Sequence, residues 1–318
     1  MIFLKSPRFW YEKPGLLQKL FLTLPAAVYA RISERNYRQN HEYESRTAKV
    51  IAVGGITVGG SGKTQVVKSF CEILKSKNKK AAVLSRGFGG TLKKPQRVNA
   101  AHSCREVGDE AMLLSSVAPV FVGRDRAACA RLAEKKNIDF LILDDGLTQR
   151  FLKPNVKLVV IDREQGFGNG EMFPLGPNRL DFEKIKFDLD GAIILGNTPE
   201  NCEDPFADCG IPVFKGTIEP DFSGVEGKIV AFCGIGYPDK FFGALRGLEI
   251  AEKIPFPDHY PFSDSDVRQL IEKAKKYGAR LATTEKDFVR IPPKYRSFVT
   301  AIPAKIVWSD PVDRLLDP

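Results

Sequence analysis

A glycine-rich segment between a short apolar run and a helical pattern limits what this chain can fold into. Residues 50–53 are apolar and mostly β-branched, which predicts a buried strand. Residues 57–64 then read Thr-Val-Gly-Gly-Ser-Gly-Lys-Thr, and the amphipathic pattern of residues 65–75 predicts a helix that begins at Lys63. A strand, a glycine-rich loop and a helix N-terminus together form the phosphate cradle of a P-loop, so the segment predicts a nucleotide site.

The residues of this loop have separate predicted roles. Glycines let backbone N–H groups turn toward phosphate oxygens, Lys63 adds a full positive charge, and the Thr64 hydroxyl suits a Mg²⁺ ligand. Thr57 stands where the general motif has its first glycine. The alternative, a glycine-rich turn before an ordinary helix, is disfavoured because the whole strand–loop–helix context is present. The predicted contacts to the nucleotide are Thr57, Val58, Gly59, Gly60, Ser61, Gly62, Lys63 and Thr64.

Apolar strand patterns alternate with helical patterns over the rest of the chain. This alternation predicts an α/β fold of the P-loop NTPase type, with a mostly parallel sheet flanked by helices and a second, smaller α/β domain. The predicted parts are an N-terminal basic and apolar region (1–49), a nucleotide-binding domain (50–197), a connection rich in Pro, Gly and acidic residues (198–226) and a C-terminal α/β domain (227–318).

The N-terminal region combines aromatic and basic residues with an apolar run. That run, residues 20–30, is too short to span a bilayer, which takes about 20 apolar residues, and Pro25 interrupts it. The chain carries a net charge of +9, which suits anionic partners. No nucleic-acid recognition motif is found, so nucleic acid is not an expected partner. Composition leaves two alternatives open for the region: a helix lying on an anionic membrane, or a helix packed on the domain.

Acidic residues follow the predicted strand at residues 140–143. In open α/β sheets, ligands bind at the carboxyl ends of the strands, and a buried strand that delivers a carboxylate to Mg²⁺ is the Walker B element. Acidic residues at strand ends also serve as helix caps. Because a P-loop lies in the same domain, the sequence predicts metal contacts at Asp144 and Asp145.

Phosphoryl transfer further needs charge neutralisation and a group that takes the proton of the acceptor. Arg86 and Arg124 are candidates for contacts to the phosphates. Asp109, in a Gly-Asp-Glu turn before a helical pattern, is the candidate base. His259 lies in an aromatic, proline-rich stretch of the second domain, and a lone histidine is more often structural than catalytic.

The chain closely resembles one known family of enzymes. The loop at 57–64 is similar to the P-loop of the tetraacyldisaccharide 4'-kinases, the lipid A 4'-kinases, in which threonine also occupies the first glycine position. Collinear matches continue along nearly the whole chain: Phe9-Trp10, Ser85-Arg86-Gly87-Phe88-Gly89, Val107-Gly108-Asp109-Glu110, Asp144-Asp145-Gly146-Leu147, Gly166-Phe167-Gly168-Asn169-Gly170, Pro174 with Gly176-Pro177, Gly234-Ile235-Gly236, Asp258-His259 and Thr284-Glu285-Lys286-Asp287.

The resemblance implies ATP- and Mg²⁺-dependent phosphorylation of the 4'-hydroxyl of a lipid A disaccharide 1-phosphate. By their positions in the family's motifs, Asp109 is implied to be the base, and His259 is implied to orient Asp109 or relay its proton. Glu110 and Thr64 are implied to contact the metal. The resemblance also implies peripheral attachment to the cytoplasmic face of a bacterial inner membrane. Residues 1–35 are then expected to contact the anionic membrane surface.

Two segments depart from the family pattern. Thr148 and Gln149 stand where the family usually has glutamine and histidine, so an imidazole is missing beside the Walker B carboxylates. Residues 174–180 read Pro-Leu-Gly-Pro-Asn-Arg-Leu in place of the usual Pro-Ala-Gly-Pro-Leu-Arg-Glu, which loses an acidic residue and keeps Arg179.

The alternative function is that of a P-loop switch, either a GTPase or a metallochaperone-like nucleotide-binding protein. Guanine recognition usually needs Asn/Thr-Lys-x-Asp, and residues 284–287 (Thr-Glu-Lys-Asp) fail that spacing. A membrane-surface scaffold with a degenerate nucleotide site is a further alternative, and intact Lys63, Thr64 and Asp144 count against it.

Overall fold

The apolar run before the glycine-rich loop forms the central strand of a nine-stranded sheet. The computed structural model describes residues 7–196 and 205–317. Residues 1–6 of the predicted N-terminal region and residues 198–204 of the predicted connection lie outside the described residues. The described chain forms two compact units: a larger one of Pro7–Thr217 and the residues from Ile306 onward, and a smaller one of Ile218–Lys305.

The larger unit contains the nine-stranded sheet. Its strands are β1 (Lys49–Gly54), β2 (Ala81–Ser85), β3 (Gln96–Arg97), β4 (Val120–Val122), β5 (Phe140–Asp144), β6 (Val156–Asp162), β7 (Gly191–Leu195), β8 (Val213–Pro220) and β13 (Ala304–Trp308). They lie in the order β13-β8-β7-β6-β1-β5-β2-β4-β3. Its helices are α1 (Leu16–Tyr37), α2 (Lys63–Ser76), α3 (Cys104–Val107), α4 (Asp109–Leu114), α5 (Arg126–Glu134) and α6 (Phe182–Ile185).

The smaller unit contains a four-stranded sheet in the order β10-β9-β11-β12, with parallel pairs throughout. Its elements are β9 (Ile229–Cys233), α7 (Pro238–Ala244), β10 (Ile250–Pro255), α8 (Asp264–Lys276), β11 (Arg280–Thr284), α9 (Glu285–Phe288) and β12 (Val299–Ile302). The predicted fold class, a mostly parallel α/β sheet with a second, smaller α/β unit, is confirmed.

Both faces of the large sheet are buried at its centre, which explains why strands such as β1, β5 and β7 are almost entirely apolar. Ile51 and Val53 of β1 pack into the core on one face, with α2 and α4. Val50 and Ala52 pack into the core on the other face, with α5. Alternate side chains of a strand point to opposite faces, so a strand covered on both sides needs apolar residues at every position.

Parallel pairing brings the carboxyl ends of the central strands to one edge of the sheet. Val53 lies opposite Asp144 in the β1–β5 pair, and Leu84 lies opposite Leu143 in the β2–β5 pair. The end of β1, the acidic end of β5 and the end of β2 therefore meet where ligands bind in such sheets.

The bounds of the two units differ from the predicted domain bounds. Strand β8 lies within the predicted connection and pairs with β7, with Ala192 opposite Val213. The chain returns to the larger unit through β13, where Trp308 donates from Nε1 to Ser69 Oγ at 2.9 Å and stacks on Phe70 with ring centroids 6.1 Å apart. The last strand of the large sheet therefore packs on α2, the helix that follows the glycine-rich loop.

Helix α1 is continuous through Pro25, so the predicted interruption does not end it. One face is held on the larger unit: Ser33 Oγ donates to the carbonyl of Arg179, and the rings of Tyr29 and Phe173 lie 5.2 Å apart. In the part of the chain that the structure describes, no helix is long and apolar enough to cross a membrane.

The opposite face of α1 is apolar and exposed. Its large side chains are 51–88% exposed: Leu16, Leu17, Leu20, Phe21, Leu24, Val28 and Ile32. Most of them recur at helical spacing and so lie along one side of the helix. This outward side continues into Arg31 and Arg35, which are also exposed.

Candidate active site

The glycine-rich loop joins the end of β1 to the start of α2 at the ligand edge of the sheet. Gly59 and Gly62 have φ values of +122° and +84°, in the region that side chains with a Cβ rarely adopt. Gly62 is the residue immediately before the helix, and Thr57 and Ser61 are buried. The backbone has the shape of a phosphate cradle, as the sequence predicts.

The Lys63 side chain folds back over the loop. Its Nζ lies 3.5 Å from Ser61 Oγ, and a Cβ added at Gly55 would lie 3.3 Å from the same Nζ. The ammonium group is therefore held above the loop, where the phosphates of a nucleotide would lie.

Residues 177–179, distant in sequence, pair with the backbone of the loop. Thr57 forms an antiparallel bridge with Asn178, and the Val58 N–H donates to the carbonyl of Pro177 at 2.8 Å. The Arg179 N–H donates to the carbonyl of Ile56. Thr57, the residue that departs from the general motif, is thus a pairing residue in a loop braced by this segment.

Arg179 also fastens the loop to the end of β5. Its guanidinium donates bidentately to Asp145, with both N–O distances 2.8 Å, and to the carbonyl of Gly55 at 2.9 Å. Burial tends to raise the pKa of Asp145, but Arg179 and then Lys63 outweigh it, so the pKa lies below its ordinary range. Both oxygens of Asp145 accept bonds from Arg179, which does not support its predicted role as a metal contact.

Asp144 is in a different electrostatic situation. Its side chain is 3% exposed, and among the described residues its Oδ1 has no hydrogen-bond partner. Burial raises the pKa of Asp144 well above its ordinary value, and the charges of Glu110 and Asp145 raise it further. Lys63 and Arg126 oppose this rise without cancelling it. Asp144 is thus a buried carboxyl group whose ionised form the nearby cations, Lys63 and Arg126, stabilise only in part.

The raised pKa makes the stability of the protein without ligands depend on pH. Folded Asp144 holds its proton above the ordinary pKa of 3.8, where the unfolded chain releases it, so stability falls as pH rises from there toward the folded value. The parent protein should therefore lose free energy of unfolding between about pH 5 and pH 8. We expect Asp144→Asn to make this loss smaller by about 1 kcal/mol or more, which corresponds to roughly one pKa unit. Urea unfolding in metal- and nucleotide-free buffer measures the free energy of unfolding at each pH.

The control for this experiment is Glu72→Gln, on the exposed side of α2. This variant should keep the pH slope of the parent protein. An unchanged slope in Asp144→Asn would show that another group dominates the titration.

Asp109 and Glu110 begin α4 beside the loop that follows β2. Asp109 is 6% exposed, and its Oδ1 accepts from the Glu110 N–H at 3.0 Å. Gly108, immediately before, has a φ of +87°, and a Cβ there would lie 2.5 Å from the carbonyl of Phe88. Close backbone packing thus fixes the start of α4. Glu110 acts electrostatically on Asp144, so this turn and the end of β5 belong to one cluster.

Arg126 is a member of this cluster that sequence reasoning missed. It is 3% exposed at the start of α5, and its Nη1 donates to the carbonyl of Gly123 at 3.2 Å. Burial lowers the pKa of Arg126, and the charge of Arg86 lowers it further, while the charge of Asp144 raises it. Arginine is almost always exposed in proteins, so composition gave no signal here, and Arg124, considered from the sequence, is exposed instead.

The residues fit a magnesium ion shared with phosphates better than an all-protein metal site. Within residues 7–196 and 205–317, no group of three or more His, Cys, Asp or Glu side chains could hold a metal. Mg²⁺ is usually held by one or two carboxylates together with phosphates and waters. The unpartnered, buried oxygen of Asp144 fits such a ligand.

Gln149, which stands where the family usually has histidine, is used within its own loop. Its Oε1 accepts from the Leu152 N–H at 2.9 Å, and its Nε2 donates to the carbonyl of the same residue. The side chain closes the turn between β5 and β6.

His259 lies in the smaller unit, in a turn after β10. Its φ is +55°, uncommon for a residue with a side chain. Its Nε2 lies 3.9 Å from Asp258 Oδ1 and 3.5 Å from Lys286 Nζ. The structure therefore groups the predicted P-loop, Walker B and base residues in the larger unit, and places His259 in a separate polar cluster of the smaller unit.

Comparisons with known proteins match this chain over nearly its full length. The profile of the family LpxK, tetraacyldisaccharide-1-P 4'-kinase, matches residues 18–317. The tetraacyldisaccharide 4'-kinase of Rhodospirillum centenum is 37% identical, over 99% of this chain and 96% of the relative. That of Gluconacetobacter diazotrophicus is 38% identical, over 98% of this chain and 97% of the relative.

A solved structure also matches. The crystal structure of LpxK from Aquifex aeolicus in complex with ATP has a TM-score of 0.77 and 26% sequence identity. The match covers 94% of this chain and 97% of that one.

Proposed function

Since this chain belongs to the family of tetraacyldisaccharide-1-P 4'-kinases, we propose that it transfers the γ-phosphate of ATP to the 4'-hydroxyl of a lipid A disaccharide 1-phosphate. The resemblance predicted from the sequence motifs is thereby confirmed. The observation that carries the proposal is the cluster at one edge of the large sheet: Lys63 above the loop, Asp144 at the end of β5, and Asp109 at the start of α4. This cluster combines a phosphate cradle, a candidate metal ligand and a candidate base.

In this proposal the positive side chains bind and orient the triphosphate. Lys63 and the N–H groups of the loop hold the β- and γ-phosphates, and Arg86 and Arg126 add positive charge near Asp144. Bound Mg²⁺ would supply positive charge that neutralises the phosphates. Asp144, Glu110 and Thr64 would hold it.

Asp145 has a different proposed role from the metal contact predicted from its sequence position. Because its carboxylate is occupied by Arg179, we assign it to bracing the loop rather than to binding metal. Asp109 accepts the proton of the 4'-hydroxyl, and His259 assists by orienting the reacting groups or relaying that proton. Phosphoryl transfer needs such a base together with charge stabilisation of the transferred group.

The test is transfer of radiolabelled phosphate from ATP to a lipid A disaccharide 1-phosphate. We expect labelled glycolipid only when protein, Mg²⁺ and acceptor are all present, and little ATP hydrolysis without the acceptor. Hydrolysis that ignores the acceptor would favour the P-loop switch, and no turnover at all would favour a scaffold.

We also propose peripheral attachment to the cytoplasmic face of a bacterial inner membrane through the N-terminal region. The support is the outward face of α1, where large apolar side chains are followed by Arg31 and Arg35. An apolar helical face with basic residues suits an anionic lipid surface, into which the apolar side chains insert.

Replacing Leu20 and Leu24 together by glutamate should weaken this attachment. Leu20 is 75% and Leu24 is 74% exposed, so the change costs little folding stability. Each leucine contributes roughly 1.5–3 kcal/mol when fully buried, so we expect at least about tenfold weaker binding. Co-sedimentation with phosphatidylglycerol-containing vesicles measures it.

The matched control is Phe298→Glu, at a side chain 56% exposed in the smaller unit. It should sediment like the parent protein, and ATP binding should be unchanged in both variants. Equal sedimentation of all three proteins would remove α1 from the membrane contact.

A further inference from the structure

The string Thr284-Glu285-Lys286-Asp287 matches the family, but the proposed chemistry gives it no role. It spans the end of β11 and the short helix α9. Asp287 is fully buried, while Lys286 is half-buried and faces His259. The string therefore lies against the turn that carries His259.

Asp287 and Arg290 form a buried ion pair beneath that turn. Asp287 Oδ1 accepts from Arg290 Nη2 at 2.9 Å and from the Gly234 N–H at 2.8 Å. Its Oδ2 accepts from Thr284 Oγ1 at 2.6 Å. The two charged side chains are 0% and 6% exposed. A buried pair of this kind must be fully hydrogen-bonded, and its geometry is correspondingly fixed.

Arg290 joins three backbone segments. Nη2 donates to the carbonyl of Gly234 at 3.0 Å, Nη1 donates to that of Tyr260 at 3.3 Å, and Nε donates to that of Lys286 at 3.2 Å. One guanidinium thus connects the loop after β9, the turn after β10 and the helix after β11. These are the carboxyl ends of neighbouring strands in the small sheet.

The same carbonyl of Gly234 holds the backbone of His259. The His259 N–H donates to it at 3.1 Å, and the residue adopts a φ of +55°. A Cβ at Gly234 would lie 2.9 Å from the carbonyl of Pro257 and 3.2 Å from Asp287 Oδ1, so only glycine fits. A residue with a side chain holds this backbone conformation only where its surroundings impose it.

Lys286 acts on the ring itself. Its Nζ lies 3.5 Å from His259 Nε2. An ammonium group only donates, so a hydrogen bond from Lys286 uses the lone pair at Nε2, which the Nδ1–H tautomer provides. Asp258 Oδ1 lies 3.9 Å from the same nitrogen, beyond hydrogen-bond distance.

We propose that Lys286, Asp287 and Arg290 are positioning residues that hold the His259 imidazole in one orientation and one tautomer for the transfer reaction. Asp287 and Arg290 fix the backbone of the turn, and Lys286 fixes the ring. The proposal rests on the role given above to His259. A displacement of about 1 Å at such a group can cost about 100-fold in rate.

The first test compares Lys286→Met and Arg290→Lys with the parent protein. We expect kcat to fall about 10-fold to 100-fold in each, while the KM for ATP stays unchanged. Arg296→Lys is the matched control, because Arg296 also donates to backbone carbonyls in the smaller unit, but to those of Ile291 and Val289 rather than to those of the loop at Gly234 and the turn at Tyr260. Urea unfolding first establishes that each variant is folded.

The second test repeats both changes in a His259→Ala background. If the residues act through His259, they cause no further loss of kcat there, because groups that work as a unit are not additive. Additive losses, or full kcat in both single variants when His259→Ala is slow, would overturn the positioning role.

The third test does not depend on the kinase activity. The chain has three histidines, so ¹⁵N-histidine spectra are simple, and His259→Ala assigns the signal. We expect the Nδ1–H tautomer in the parent and a mixture of tautomers in Lys286→Met. An unchanged tautomer in Lys286→Met overturns the positioning role. Separately, if His259→Ala retains kcat in the kinase assay, the proposed role of His259 itself fails.

Discussion

Replacing Lys63 by methionine should lower kcat by about 100-fold to 1,000-fold, the usual cost of removing one preorganised group that stabilises transition-state charge. Methionine keeps an unbranched side chain at the start of α2 and removes the charge. The Lys63 ammonium lies 3.5 Å from Ser61 Oγ, held over the loop before any nucleotide arrives, so its loss is not compensated by rearrangement. Label transfer to the glycolipid at saturating ATP measures the effect.

The control is Lys75→Met, on an exposed position of the same helix. It removes the same charge from α2 away from the loop and should leave kcat unchanged. Comparable losses in the two variants would mean that net charge, rather than the position of Lys63, sets the rate.

Replacing Asp109 by asparagine should lower kcat by about 100-fold to 10,000-fold, the range that a positioned general base contributes. Asparagine has nearly the same shape, and its side-chain oxygen can still accept from the Glu110 N–H, so the start of α4 is preserved. ATP binding, measured by calorimetry in the presence of Mg²⁺, should be unchanged. The variant separates loss of the base from loss of the nucleotide site.

Glu106→Gln is the matched control for Asp109. Glu106 belongs to the capping box of α3 and accepts from the N–H and hydroxyl of Ser103. Its neutralisation should cost a little helix stability and no kcat. Full turnover by folded Asp109→Asn would remove Asp109 from the role of base.

Local patterns along the sequence were sufficient to predict the strands and the helix that form the core of the candidate site. The strand before the loop, the helix that begins at Lys63 and the carboxylates that follow the strand at 140–143 each depend on a contiguous pattern of apolar residues, glycines and charges. Because parallel strands in a doubly covered sheet align their ends, these patterns also predicted that Asp144 lies beside the loop.

The features that were missed depend on contacts between distant parts of the chain. Strand β8 contains Lys215 and Gly216 and is partly exposed, so only its pairing with β7 defines it. Burial of Arg126 depends on the packing around the start of α5. The pairing of Asp145 with Arg179 joins residues 34 positions apart, and no local rule separates a carboxylate that binds metal from one that binds arginine.

Strand β13 has a consequence for the order in which the chain can fold during synthesis. The smaller unit is an insertion between β8 and β13, so the ribosome makes residues 218–305 before the large sheet receives its last strand. Until Trp308 emerges, the edge of β8 is unpaired, and Ser69 and Phe70 on the helix after the loop lack their partner. An unpaired edge of this kind is a site for wrong association. When the inserted unit folds rapidly, β13 can pair with β8 soon after it is made. Mutations in the inserted unit that slow its folding should therefore cause aggregation through the unpaired edge of β8, which belongs to the other unit.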